Sequence, residues 1–317
     1  MLFFQEMEYN DVVIHDEHNS NAFLNVLTVI TLVCICVLGT IGNSIVLIVA
    51  VWKQKYSSVT NCYIINLAIT DLLFLLISVP LTTYLGLTNK WILSGIVSCR
   101  VHVYLAYVLL QATCYTLAVM SVDRYLYVVS SHPRPPWRTP LNALIICILI
   151  WIVSIAFIFP YTSFSSSTSN AEMAPINPCE VSAYHPFFAS CYFPFCAYYI
   201  LPLLVIALCY TRLFCYLRKT SNAIKRHKNS LLKDGPCAPS NRRRVIRTLV
   251  SLTCAFALCW LPIHTLEFLN CQRLLDDFYI HHTFLLNLFR VISHALSYFN
   301  SCLNPFLYAL FNKDFFQ

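Results

Sequence analysis

From Val101 to Val122 the chain runs 22 residues without an Asp, Glu, Lys or Arg. As an α-helix such a run measures about 33 Å, close to the roughly 30 Å hydrocarbon thickness of a bilayer. Only a helix or a closed barrel satisfies its backbone inside lipid. A porin-like barrel would show weak alternation in segments of about ten residues, which is absent here. Seven apolar spans can be read: Phe23–Val51, Thr60–Leu87, Cys99–Val129, Pro140–Tyr161, Pro186–Leu217, Val245–Asn270 and His282–Phe311. Charged residues make up 11% of the chain, against about 25% in soluble domains, and they lie in blocks between the spans. The expected fold is an all-α membrane protein, a seven-transmembrane helix bundle. Residues 1–22 form a polar, acidic tail, 23–311 the bundle, and 312–317 the start of a juxtamembrane helix 8. The tail lacks a basic-then-apolar leader, so the first span is expected to target itself. The end at Gln317 suggests a fragment or a tailless variant.

Lys/Arg placement sets the expected orientation. With the N-terminus outside, only Lys90, Arg100, Arg273 and Arg290 face outward, and the other 17 of the 21 basic residues face inward. Acids do the reverse, from Glu6 and Glu8 to Asp276 and Asp277. The net charge of +7 therefore marks a basic inner face toward anionic membrane lipid or a protein partner, not nucleic acid. Most of the 16 cysteines lie inside apolar runs, among them Cys36, Cys147 and Cys259. There they read as small hydrophobes.

Polar groups at membrane depth are costly, so they are the functional candidates. Span 1 carries Gly42-Asn43, span 2 Asn66 to Asp71, and span 7 Asn300 followed by Asn304-Pro305-Phe306-Leu307-Tyr308. Asn300 and Asn304 share a helix face. Asp71 with Asn43, Thr113, Asn300 and Asn304 either holds a small cation or forms a hydrogen-bond knot, and both readings stay open. Cys259-Trp260-Leu261-Pro262 places a tryptophan beside a proline bend, and Pro202 precedes Tyr210 in span 5. At the foot of span 3, Arg124 either pairs with Asp123, turns inward to another partner, or snorkels.

These motifs resemble, in order along every span, the rhodopsin-like G-protein-coupled receptors. The resemblance implies that Asp123, Arg124, Tyr125, Pro202, Tyr210, Phe256, Trp260, Pro262, Asn304, Pro305 and Tyr308 are activation switches. It also implies a Cys99–Cys179 disulfide pinning the long outer loop, an allosteric sodium pocket at Asp71, Thr113, Asn300 and Asn304 with no other cofactor, and a heterotrimeric G protein as partner. Arg242 stands where many relatives carry an acid at the base of span 6, so the resting state is expected to lean on Asp123 alone. Basal activity is then expected to be appreciable.

Span 7 has no lysine for a retinal Schiff base, and Ala106 stands where monoamine receptors carry an Asp. Leu110-Gln111-Ala112-Thr113-Cys114, Arg138-Thr139-Pro140 and Ser297-Tyr298-Phe299-Asn300-Ser301 resemble the kisspeptin receptor, with galanin and allatostatin-A receptors as near relatives. That points to an amidated neuropeptide and the phospholipase C route. The ligand site is expected at Tyr107, Gln111, His264, Glu267 and Arg290. There Glu267 either meets a cationic peptide residue or pairs with Arg290. A transporter would need inverted repeats or a chain of buried charges, and an enzyme a catalytic motif such as HExxH or GxSxG. Neither occurs. A non-signalling decoy is opposed by the intact Asp123-Arg124-Tyr125 and Asn304-Pro305.

Overall fold

The computed structural model describes residues 13–52, 58–88, 96–130, 136–163, 195–226, 239–272, 274–275, 278 and 282–311. Among them are seven helices and no strand. They are α1 (Val13–Trp52), α2, α3 (Ile96–Val129), α4 (Pro140–Ser163), α5, α6 (Pro239–Cys271) and α7 (Thr283–Phe311). Helix α2 runs from Val59–Leu73 through a widened π-helical stretch, Phe74–Ser78, into Val79–Thr88. Helix α5 opens with a second such stretch, Phe195–Ile200, before Leu201–Arg226.

Two starts lie well before their expected positions. Helix α1 begins ten residues before Phe23, because no proline or glycine interrupts the chain between Val13 and Leu38. Part of the presumed tail is therefore helical. Helix α6 begins at Pro239 rather than Val245, with proline in the first turn where its missing N–H costs nothing. The expected start of span 5 at Pro186 lies outside the described residues.

Helix α3 is the central post, packed against α2, α4, α5 and α6, while α7 closes the ring between α6 and α1. Six helices are long and apolar enough to cross a membrane among the described residues. Helix α7 is less apolar because its inward face carries Ser293, Ser297, Asn300, Ser301 and Asn304, all buried. Outward faces are apolar instead, as at Val33, Val37, Ile41, Leu144, Ile148 and Ile152. A polar inside and an apolar outside suit a lipid solvent.

Glycine and proline fix the closest contacts. A Cβ on Gly39 would stand 2.6 Å from Leu75 Cδ1 and 2.7 Å from Cys302 Sγ, so α1 meets α2 and α7 only because residue 39 has no side chain. Each proline inside a helix frees the carbonyl four residues earlier. Pro305 frees that of Ser301, and Asn43 Nδ2 donates to it at 2.8 Å from α1. Pro202 frees that of Tyr198, and the Cys114 thiol donates to it at 3.1 Å from α3. Cys36 and Cys302 likewise donate to Leu75 O and Ile35 O across helices. The buried Cys114 and Cys302 and the half-buried Cys36 thus act as weak thiol donors between helices in addition to packing as small apolar groups. Close packing puts each thiol against another helix's carbonyl.

Candidate functional site

Two regions of the bundle gather the residues picked out above. The first surrounds Trp260. Its indole lies 5.7 Å from the His264 ring, 6.1 Å from Phe256 and 6.1 Å from Phe74 of α2. Phe74 in turn lies 5.6 Å from Tyr298 of α7. From α5, Tyr199 packs 5.0 Å from His264 and donates its hydroxyl to Ala257 O, beside the Pro262 bend. Phe195 closes on Phe268 at 5.4 Å. The π-helical stretch makes this possible, since the extra residue per turn buries both Tyr198 and Tyr199.

Within this aromatic shell Trp260 Nε1 and His264 Nε2 are buried with no hydrogen-bond partner among the described residues, and the buried Gln111 amide interacts with Tyr115 one turn along α3. Buried polar groups ordinarily find partners, so these donors and acceptors are where a polar group of a ligand would be recognised. Tyr107 packs against Tyr198 with ring centres 5.6 Å apart. Glu267 is 40% exposed and its Oε2 lies 4.0 Å from His264 Nδ1. Arg290 is half-buried in α7. The expected ligand residues thus fall on facing helices: Tyr107 and Gln111 on α3, His264 and Glu267 on α6, Arg290 on α7. Their α5 neighbours Phe195, Tyr198 and Tyr199 were not foreseen, and the π-helical start of α5 carries them.

The second region is the buried polar line below. Asp71, 1% exposed, accepts from Asn304 Nδ2 at 2.6 Å, and the Ser301 hydroxyl also reaches it. Asn43 Oδ1 and Asn300 Oδ1 lack partners among the described residues. Thr113 Oγ1 donates to Thr70 at 3.2 Å. Tyr308 is buried in α7. Beside this line, Asn66 ties three helices, donating to Thr116 at 2.8 Å and accepting from Trp151 Nε1 at 2.9 Å.

At the foot of α3 the expectation of Asp123 acting alone is corrected. Both Asp123 oxygens accept from Arg138, Oδ1 from Nε at 2.9 Å and Oδ2 from Nη2 at 3.0 Å. Arg138 follows α3 by nine residues and stands just before Pro140 starts α4, where it meets the acid. Arg124 turns toward α2 and donates to Thr60 Oγ1. Tyr125 is half-buried. Tyr210 of α5 accepts from Ser121 at 3.1 Å. No sequence motif flagged Arg138 or Thr60 as partners of this foot. The only signal was a cation placed where an acid needs one. Cys179 and the side chains of Cys99 and Arg242 lie outside the described residues, so neither the disulfide nor the span 6 base is described.

The chain matches the family "7 transmembrane receptor (rhodopsin family)" over residues 42–308. It is 32% identical to the galanin receptor type 2 of Homo sapiens over 89% of this chain and 68% of that protein. It is equally 32% identical to the galanin receptor type 3 of Mus musculus, over 89% and 74%. The somatostatin receptor type 3 of Rattus norvegicus is 31% identical over 89% of this chain and 65% of that protein. Seven helices around a central α3, a buried Asp71–Asn304 line and a family match across nearly the whole bundle lead to one conclusion: the chain is a multi-pass member of the rhodopsin family of G-protein-coupled receptors, of the neuropeptide branch, and a signalling receptor rather than an enzyme.

Proposed function

We propose that the ligand is a galanin-like peptide, entering at the His264 end of the bundle, with the N-terminus of the receptor on the same, outer side. The observation that carries this is the aromatic shell with the unpartnered Trp260 and His264 groups beside the buried Gln111 amide. It offers stacking surface and neutral hydrogen bonds, which suit an aromatic peptide side chain and not an amine. The galanin receptors among the relatives support the same reading. An amidated kisspeptin-like peptide is the second reading, resting on Leu110–Cys114 and Arg138–Pro140. Glu267, partly exposed beside His264, supplies a counter-charge for a basic peptide residue. Cys99 and Cys179 would pin the outer loop above this opening.

Agonist contact works through differential affinity for the state in which α6 bends at Pro262 and its inner end moves outward. Arg124 then receives the G protein, and the signal runs by phospholipase C and calcium. The buried oxygens at Asp71, Thr113, Asn300 and Asn304 fit a small hard cation, the orphaned Asn300 Oδ1 above all. Bound sodium would neutralise Asp71. The basic inner face suits anionic lipid.

The test is calcium release in transfected cells exposed to galanin, kisspeptin and somatostatin peptides. Galanin should act at the lowest concentration. Glu267→Gln should weaken it about tenfold at equal surface expression. Silence to all three peptides, or unchanged potency in the variant, counts against the peptide assignment or against Glu267 respectively.

A further inference from the structure

The foot of α3 holds two arginines and one buried acid. Asp123 is 6% exposed and Arg138 15%, and the pair is two-pronged. The Arg138 guanidinium also lies 4.4 Å over the Tyr127 ring, which fixes its plane. Its Nη2 reaches Thr60 Oγ1 at 3.4 Å, the same hydroxyl that takes Arg124. Arg124 follows Asp123 directly in the chain and lies within its electrostatic reach. One acid therefore stands between two cations, and the connector's arginine has taken it.

We propose that Arg138 is a positioning residue that competes with Arg124 for Asp123 and so leaves Arg124 on the neutral Thr60 hydroxyl. The inference rests on the receptor reading, with the Arg124 end facing the G protein. A buried carboxylate left without its partner is strongly destabilising, so loss of Arg138 forces Asp123 onto the next cation. Among the described residues that cation is Arg124. An ion pair to Asp123 would hold Arg124 harder than a hydroxyl does, and the step that frees Arg124 for the G protein would become less favourable. Arg138 thus sets ligand-independent signalling high. A merely structural clip would do the reverse, because its removal would loosen the foot.

The experiment measures nucleotide exchange on a panel of heterotrimeric G proteins by membranes carrying full-length receptor, without and with peptide, normalised to receptor density. Wild type should show ligand-independent exchange that Arg124→Ala abolishes. Arg138→Met should lower it about three- to tenfold. Arg138→Lys, which engages one oxygen rather than two, should fall between them. Adding Asp123→Asn to Arg138→Met should restore exchange, because the neutral amide no longer captures Arg124. Unchanged or raised exchange in Arg138→Met overturns the proposal, as does failure of Asp123→Asn to restore it. If Arg138→Met does not reach the membrane, Arg138→Lys carries the test, and exchange at or above wild type overturns it. Peptide-driven exchange with no basal exchange in the wild type overturns the proposal alone. No exchange with or without peptide overturns the receptor reading as well.

Discussion

Asn43→Ala offers the sharpest test of how the bundle is held together. Asn43 Nδ2 donates to Gly39 O at 2.9 Å in its own helix and to Ser301 O at 2.8 Å in α7. The first acceptor keeps its helical partner when the side chain is removed. The second does not, since Pro305 has no N–H to offer Ser301 O. An unpaired buried carbonyl costs about 1–3 kcal/mol in water-soluble proteins. Interhelical bonds in membranes average about 0.6 and reach about 1.7 kcal/mol. We therefore expect a loss of about 1–2 kcal/mol, and a melting point lower by about 2–6 °C in detergent. The decisive comparison is the same substitution in a Pro305→Ala background. There residue 305 regains its N–H, Ser301 O is satisfied within α7, and the drop caused by Asn43→Ala should shrink by at least half. Melting is followed by size-exclusion recovery after heating. Equal drops in both backgrounds would refute the proline-and-donor reasoning.

Gly39→Ala should destabilise by about 1–3 kcal/mol through overpacking, and pairing it with Cys302→Ala, which removes the sulfur 2.7 Å away, should recover part of the loss in the same melting assay. Trp151→Phe trims the indole to a single ring and leaves Asn66 Oδ1 without its donor, so a loss of about 1–2 kcal/mol is expected, and in an Asn66→Leu background the hydrogen-bond part of that loss should vanish. Cys114→Ala should expose Tyr198 O to loss of its donor, while Cys114→Ser should preserve both thermal stability and agonist potency. Asp71→Asn should abolish any sodium-dependent rise in melting temperature, measured against choline at equal ionic strength.

Much of the fold was legible in the chain because a bilayer leaves few choices. A long run without charge must be a helix, and seven such runs separated by short polar blocks must form a bundle. Deep polar residues could be picked out singly for the same reason, and Asp71 with Asn304, or His264 with Trp260, proved to be neighbours. Partners across helices were less legible. Arg138 looks like any basic residue before a helix. Only the return of the chain from α3 to α4 lays it on Asp123. Cysteines in apolar runs look inert, and only the register between helices shows which carbonyl each thiol meets. The π-helical stretches change which α5 residues face inward, and a periodicity of 3.6 cannot foresee them. The sequence by itself thus determined the helices, their number and their polar depth, because lipid penalises every other arrangement. Tertiary structure alone decided who pairs with whom at the foot of α3 and around Trp260, because pairing depends on the distance between helices far apart in the chain.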